Sequence, residues 1–210
     1  MNGRRFVLAR HGEAELNLIA DDAEMAGFDA DSPLTALGVR QAALLAAALP
    51  TVVERPTVFA SPQLRAAATA AELGMALRVR VTTDARLAEV GAPARFATPM
   101  SGRQWEEVLD ARMLRPDEEV APGVESLAAQ RHRVRSFLHE RCSADGEYVM
   151  VSHAETTQAL LLVLLGLESC VYSAFRFKVS RTGVFVIDVP RDGPPTLVTA
   201  NTKAHLGGLV

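Results

Sequence analysis

Cysteine is scarce: the 210 residues contain two, Cys142 and Cys170. That excludes a disulfide scaffold as the basis of the fold and makes a reducing compartment the expectation. Long hydrophobic runs are also missing. The most apolar stretch, residues 159–167, is far too short to span a bilayer, and the start of the chain leads into a short apolar run without a signal-type core. The chain therefore reads as cytoplasmic, with no membrane partner. A basic surplus is lacking too, since 22 Lys and Arg stand against 25 Asp and Glu, a net charge of −3. This argues against a nucleic-acid partner and leaves room for a local cationic pocket. No Cys, His or carboxylate spacing suggests a metal site; His132 and His139 lie seven apart and read as solvated. What is present is a 49% hydrophobic composition, enough for a sizeable core, in a length that suits one domain over residues 1–210.

Along the chain, strands alternate with helices. Phe6-Val7-Leu8-Ala9 reads as a buried strand ending at Arg10-His11-Gly12. Residues 20–33 are polar and acidic and read as a loop or lid. Thr35 is a candidate cap for a helix through Leu49, with Pro50 after it. A second strand at 57–60 runs into Ser61-Pro62, which reads as an N-cap with proline at the first helical position, and Gly74 closes that helix. A third short strand is expected at 78–81. Residues 91–121 form a lid-like excursion containing a helix at 105–113. A helix at 125–141, a strand at 148–151 and a helix at 155–165 follow. Residues 175–180 and 184–189 flank Arg181-Thr182-Gly183 and read as a hairpin whose edge offers pairing with a second copy; residues 197–200 add a last strand. The expected fold is α/β, a three-layer sandwich with a mainly parallel, mixed central sheet.

His11, Arg65 and His153 each follow a strand, and in open α/β sheets ligands bind at the carboxyl ends of the strands. The residue types suit phosphate chemistry. Arg10 and Arg65 offer planar forks of N–H donors to phosphate oxygens. A neutral imidazole can attack phosphorus and carry the phosphoryl group. A second, protonated imidazole at His153 can stabilise charge on the equatorial oxygens. The leaving alkoxide needs a proton from a nearby carboxylic acid, and the N-terminus of the helix near Glu155 favours an anion in the same crevice.

Leu8-Ala9-Arg10-His11-Gly12-Glu13 through Asn17 resembles the signature of the histidine phosphatase superfamily, in its phosphoglycerate-mutase-like branch. Further blocks of that family match in order: Ser32-Pro33-Leu34-Thr35-Ala36-Leu37-Gly38, Ala60-Ser61-Pro62-Gln63-Leu64-Arg65-Ala66 with Thr69, Pro122-Gly123-Val124-Glu125-Ser126, and Val149-Met150-Val151-Ser152-His153. The tail Asn201-Thr202-Lys203-Ala204-His205-Leu206 resembles the family's ending. The resemblance implies a phosphoglycerate-mutase-like fold and a phosphomonoesterase working through phosphohistidine on His11. It implies that Arg10, Arg65 and His153 complete the phosphate pocket, that Asn17 adds a contact, and that Glu89 donates the proton. It implies a small phosphorylated substrate and no metal or other cofactor.

Two departures stand out. Ala14 occupies the place of a usual threonine. His153-Ala154-Glu155-Thr156 replaces the usual glycines and is similar to the motif of inositol-polyphosphate phosphatases in the other branch, where the glutamate is the donor. Glu155 is therefore the second choice for donor or substrate contact. The alternative functions are a cofactor-dependent phosphoglycerate mutase, a phosphoprotein or phosphohistidine phosphatase, and a non-catalytic phosphate-binding module. The mutase reading is disfavoured because the 91–121 excursion has no lysine to hold a substrate carboxylate.

Overall fold

Four consecutive apolar residues, Phe6 to Ala9, can all be buried in a strand only if both of its faces are covered. The computed structural model, which describes residues 3–18, 22–25, 32–92, 98–168 and 175–209, shows this. β1 (Gly3–Arg10) has no exposure at any of the four. Alternation sends Phe6 and Leu8 into one core cluster and Val7 and Ala9 into the other. The elements that follow are β2 (Glu24–Met25), α1 (Ala36–Ala48), β3 (Thr57–Ala60), α2 (Leu64–Leu77), β4 (Val81–Thr83), β5 (Met100–Ser101), α3 (Gly102–Leu114), α4 (Leu127–Arg141), β6 (Gly146–Ser152), α5 (Ala154–Leu164), β7 (Val184–Pro190) and β8 (Thr196–Thr202).

Among the described residues, six strands form one sheet in the order β4-β3-β6-β1-β7-β8, and β2 pairs with β5 apart from it. β4, β3, β6 and β1 run parallel, whereas β7 and β8 are antiparallel additions. On one face, Val134 and Phe137 of α4 and Leu160 and Leu161 of α5 meet Phe6, Leu8, Phe59 and Met150. On the other, Leu45 of α1 and Ala66, Ala70 and Leu73 of α2 meet Val7, Val58 and Val149. Burying each large side chain contributes roughly 1.5–3 kcal/mol. The architecture is the expected three-layer sandwich. The chain leaves β1 toward one face and β6 toward the other, so a crevice opens at the carboxyl ends of these neighbouring strands.

Local expectations fared unevenly. Thr35 caps α1, its hydroxyl accepting the Gly38 N–H at 3.0 Å. α2 starts later than expected: its N-cap is Gln63, and Ser61 accepts the Gln63 N–H while also bonding His153. Gly74 does not end α2. It is buried inside the helix, which closes at Arg78 in the left-handed region. The third strand lies at Val81–Thr83 rather than 78–81. The helix in the excursion starts earlier, at Gly102, because Ser101 and Gln104 form a capping box. α4 starts two residues late, capped by Ser126. The hairpin expected around Arg181-Thr182-Gly183 is absent: residues 175–180 form no strand, and the real hairpin joins β7 to β8. Residues 181–183 instead serve β1, with the Thr182 N–H donating to the Arg10 and His11 carbonyls. Most of the 20–33 loop, and Cys170, lie outside the described residues. Cys142 is buried, and burial pushes its thiol up to about 12. Among the described residues, no helix is long and apolar enough to cross a membrane.

Candidate active site

The sheet's ladder continues one residue past the strand ends and carries the functional side chains with it. The His11 N–H donates to Ser152 O at 3.0 Å, Ser61 N–H to Val151 O at 3.0 Å and Asp84 N–H to Ala60 O at 2.9 Å. His11, Arg65 and His153, distant in sequence, thereby meet in the crevice. All three are almost fully buried. The His11 and His153 rings lie 5.1 Å apart, edge to face.

Two contacts fix the tautomer of His11. Its Nδ1 lies 2.7 Å from Gly12 O, and a carbonyl only accepts, so Nδ1 carries the proton. Its Nε2 lies 3.3 Å from Arg65 Nε, and a guanidinium only donates, so Nε2 holds a lone pair. Burial, reinforced by Arg10 and Arg65, holds the His11 pKa well below the usual value, so the ring is neutral. The loop around it is anchored from both sides. The Gly12 N–H donates to Thr69 Oγ1 at 3.1 Å, and the Glu13 N–H to Gln41 Oε1 at 2.9 Å. The Glu13 carboxylate accepts from Thr35 and Arg181, each at 2.9 Å.

Gly12 and Gly38 are required where the loop crosses the start of α1. A Cβ on Gly38 would lie 1.9 Å from Glu13 O, and one on Gly12 would lie 2.5 Å from Gly38 O. Backbone packs on backbone there, and only glycine fits.

A cavity of about 410 Å³ opens at His11. Arg10, Asn17, Arg65, Glu89 and Glu155 line it, together with Trp105, Glu106 and Leu109 of α3 and Arg181. Six of the seven sequence-nominated residues thus face one space, and the seventh, His153, lies behind His11 with its Nε2 2.8 Å from Ser61 Oγ. Asn17 Oδ1 accepts the Ala14 N–H at 3.0 Å, which leaves its amide N–H groups for a ligand. Arg10 donates to Val179 O at 2.8 Å, and its buried Nε has no hydrogen-bond partner. The protonated state expected for His153 is not that of the resting site. Burial first, then His11 and Arg65, hold its pKa well below the usual value.

The two carboxyls differ. Glu89 accepts the N–H groups of Val90 at 2.9 Å, Thr156 at 3.2 Å and Glu155 at 3.4 Å. The carboxyl that satisfies the first N–H groups of α5 is therefore this side chain. Glu155 is buried among apolar and acidic neighbours; burial, then Glu89, pushes its pKa up to about 7. Its Oε1 accepts from Gln158 at 3.0 Å, and its buried Oε2 has no hydrogen bond, with Arg112 Nη1 at 3.7 Å. Arg112 is fully buried and donates to Glu125 O and Gln130 Oε1. Sequence reasoning missed Arg112, Glu106 and Arg181. Arg181 was hidden in an apparent turn. For α3, the spacing Trp105, Leu109, Arg112 is the helical periodicity of one face and was the available signal.

Comparisons with known proteins bear on the family and the fold. The family model of the histidine phosphatase superfamily (branch 1) matches residues 6–203. The chain is 32% identical to a 5''-phosphoribostamycin phosphatase of Niallia circulans, over 96% of this chain and 98% of that protein. It superposes on a mycobacterial glucosyl-3-phosphoglycerate phosphatase with a TM-score of 0.73 and 25% identity, covering 96% of this chain and all of the other. A phosphoserine phosphatase of Entamoeba histolytica gives a TM-score of 0.72 at 25% identity, covering 97% and 99%. With the match running from β1 to the tail, the chain belongs to the histidine phosphatase superfamily, branch 1.

Proposed function

We propose that the protein is a phosphomonoesterase that hydrolyses a small phosphate ester through a phosphohistidine on His11. The observation that carries this reading is the Nε2 lone pair of His11, fixed by the bonds to Gly12 O and Arg65 Nε inside a cavity shared with Arg10. Nε2 attacks phosphorus, and the bond to the leaving alcohol oxygen breaks as the P–N bond forms. Arg10, Arg65 and the Asn17 amide hold the phosphoryl oxygens, and the Nδ1–H bond to Gly12 O steadies the charge that develops on the ring. A dianionic phosphoryl group on His11, whose ring packs on His153, favours the charged form of His153 that burial, His11 and the arginines oppose. Water then attacks phosphorus, the P–N bond breaks as the new P–O bond forms, phosphate and the neutral His11 ring are released, and the carboxylate that gave up its proton takes one from the water.

Glu89 is the proposed donor of the proton to the leaving oxygen. It shares the cavity with His11, and the family resemblance implies the acid at this position. Glu155 is the second reading, favoured by the pKa of about 7 that keeps part of it protonated at neutral pH. The cavity suits a small alcohol, in keeping with relatives named for phosphorylated small molecules. The excursion lacks lysine, which supports hydrolysis over transfer between phosphoglycerates.

Turnover of an alkyl phosphate, whose leaving group needs a proton, and of p-nitrophenyl phosphate, whose leaving group does not, assigns the acid. Glu89→Gln is expected to lose about 10²-fold or more on the alkyl ester and far less on the aryl ester. Full alkyl-ester activity in Glu89→Gln, with the loss appearing in Glu155→Gln instead, would transfer the role to Glu155.

A further inference from the structure

The chain has two lysines, Lys178 and Lys203, and both line the same cavity. That cavity, of about 350 Å³, lies beside the one at His11, with Arg10 and Arg181 in the walls of both. Four of its eight lining residues are cations and none is an acid. The sequence separates them widely: Arg10 ends β1, Lys178 and Arg181 precede β7, and Lys203 follows β8. Like charges gathered in one place repel unless an anion answers them. None of the acids nearby lines this cavity. Glu89, Glu155 and Glu106, which act on Arg10, line the His11 cavity, and Glu13 pairs with Arg181 at 2.9 Å. Lys178 and Lys203 are exposed and form no ion pair among the described residues.

Uncharged donors stand in the same wall. Gln41 is 3% exposed, and its Oε1 accepts the Glu13 N–H at 2.9 Å. Its amide N–H groups, which have no partner among the described residues, are what it offers the cavity. The Ser180 hydroxyl accepts from Asn201 at 3.1 Å and keeps its own proton to donate. Arg10 sends Nη1 to the carbonyl of Val179, another lining residue, and its buried Nε has no hydrogen bond. A buried donor left unanswered is costly. Arginine forks, lysine point charges, an amide and a hydroxyl together match a multiply charged oxyanion.

We propose that this cavity is a second anion site, which binds free inorganic phosphate through Lys178, Lys203 and the outer side of Arg10 and thereby slows turnover at His11. Arg10 and Arg181 face both cavities. An anion at the second one draws on cations that the phosphoryl group needs in the first, and its own charge opposes the charge that builds up there. Arg10, held by Val179 O, stands between the two spaces, which fits a separate anion rather than an arm of the ester. The effect on turnover rests on the phosphatase reading above; the binding does not.

Equilibrium dialysis against radiolabelled phosphate counts the sites, at about 0.15 M chloride so that charges more than about 8 Å apart are screened. Wild type is expected to bind two phosphates per chain, and the double variant Lys178→Ser/Lys203→Ser one fewer. Both side chains are exposed and neither belongs to the catalytic machinery, so the variant keeps its fold and its kcat without added phosphate. Steady-state turnover of p-nitrophenyl phosphate then reads the coupling. In wild type, added phosphate should lower kcat by about fivefold or more besides raising KM, a fraction of what losing one such donor outright costs. In the variant it should raise KM alone, as a product that competes at His11 does. Equal phosphate counts in the two proteins overturn the proposal, and so does phosphate inhibition that leaves the wild-type kcat unchanged. Inactivity toward p-nitrophenyl phosphate would strike the phosphatase reading instead and leave the dialysis result standing, so the two failures are distinct.

Discussion

The carboxyl of Glu155 is the clearest case of a residue set by its surroundings rather than by its type. Its neighbours are Glu89 from the loop after β4, Glu106 and Arg112 from α3, Arg10 from β1 and Gln158 on its own helix. The two acids and burial outweigh the two cations, and the pKa rises to about 7. The sign of the consequence for stability follows. The folded state holds a proton that the unfolded chain, near the ordinary value of 4.5, has already released, so stability falls as pH rises from about 4.5 through about 7. Glu155→Gln removes that cost. Urea titration should find the variant more stable than wild type at pH 8, by up to about 3 kcal/mol, with the gap shrinking as pH falls toward 5. A gap that is flat across this range would mean that Glu155 is not buried as described. His11 and His153 act oppositely. Their lowered pKa values make folding less favourable as pH drops below 6.5, and this effect cancels between variant and wild type.

At the scale of elements, the crossing of the His11 loop over α1 is where sequence becomes site. Gly38 sits on Glu13 O closely enough that any side chain must push the loop away. Gly38→Ala should cost on the order of 1–3 kcal/mol in thermal or urea unfolding and lower kcat as well, because His11 shifts with the loop. An unchanged kcat would show that the loop position is not tied to α1. The elements also show what a single sequence makes legible. The central strands were readable because burial on both faces demands unbroken apolar runs, as at Phe6–Ala9 and Tyr148–Val151. The α1 start was readable because Thr35 caps it in the ordinary way. Failures came where residues typical of turns or caps are used for long-range bonds. Ser61 serves His153 as well as its own loop, and Thr182 serves the end of β1. Neither use has a local signature.

For the molecule as a whole, the site is a product of topology. β1, β3 and β6 end side by side, so residues 11, 65 and 153 meet although up to 142 positions separate them. The proposed phosphate-binding half was legible because His11 and His153 directly follow strands and Arg65 stands at the start of the helix after β3. The rest of the cavity wall was not, because it depends on the face α3 turns to the cavity and on the partners that Glu89 and Glu155 find in space. The central claim is the covalent intermediate. Mixing the enzyme with p-nitrophenyl phosphate, quenching in alkaline denaturant and mapping peptides by mass spectrometry tests it most directly. One phosphoryl group on His11, lost on acid treatment, is expected, with neither label nor turnover in His11→Ala. Turnover that persists in His11→Ala, or a label on another residue, would contradict it.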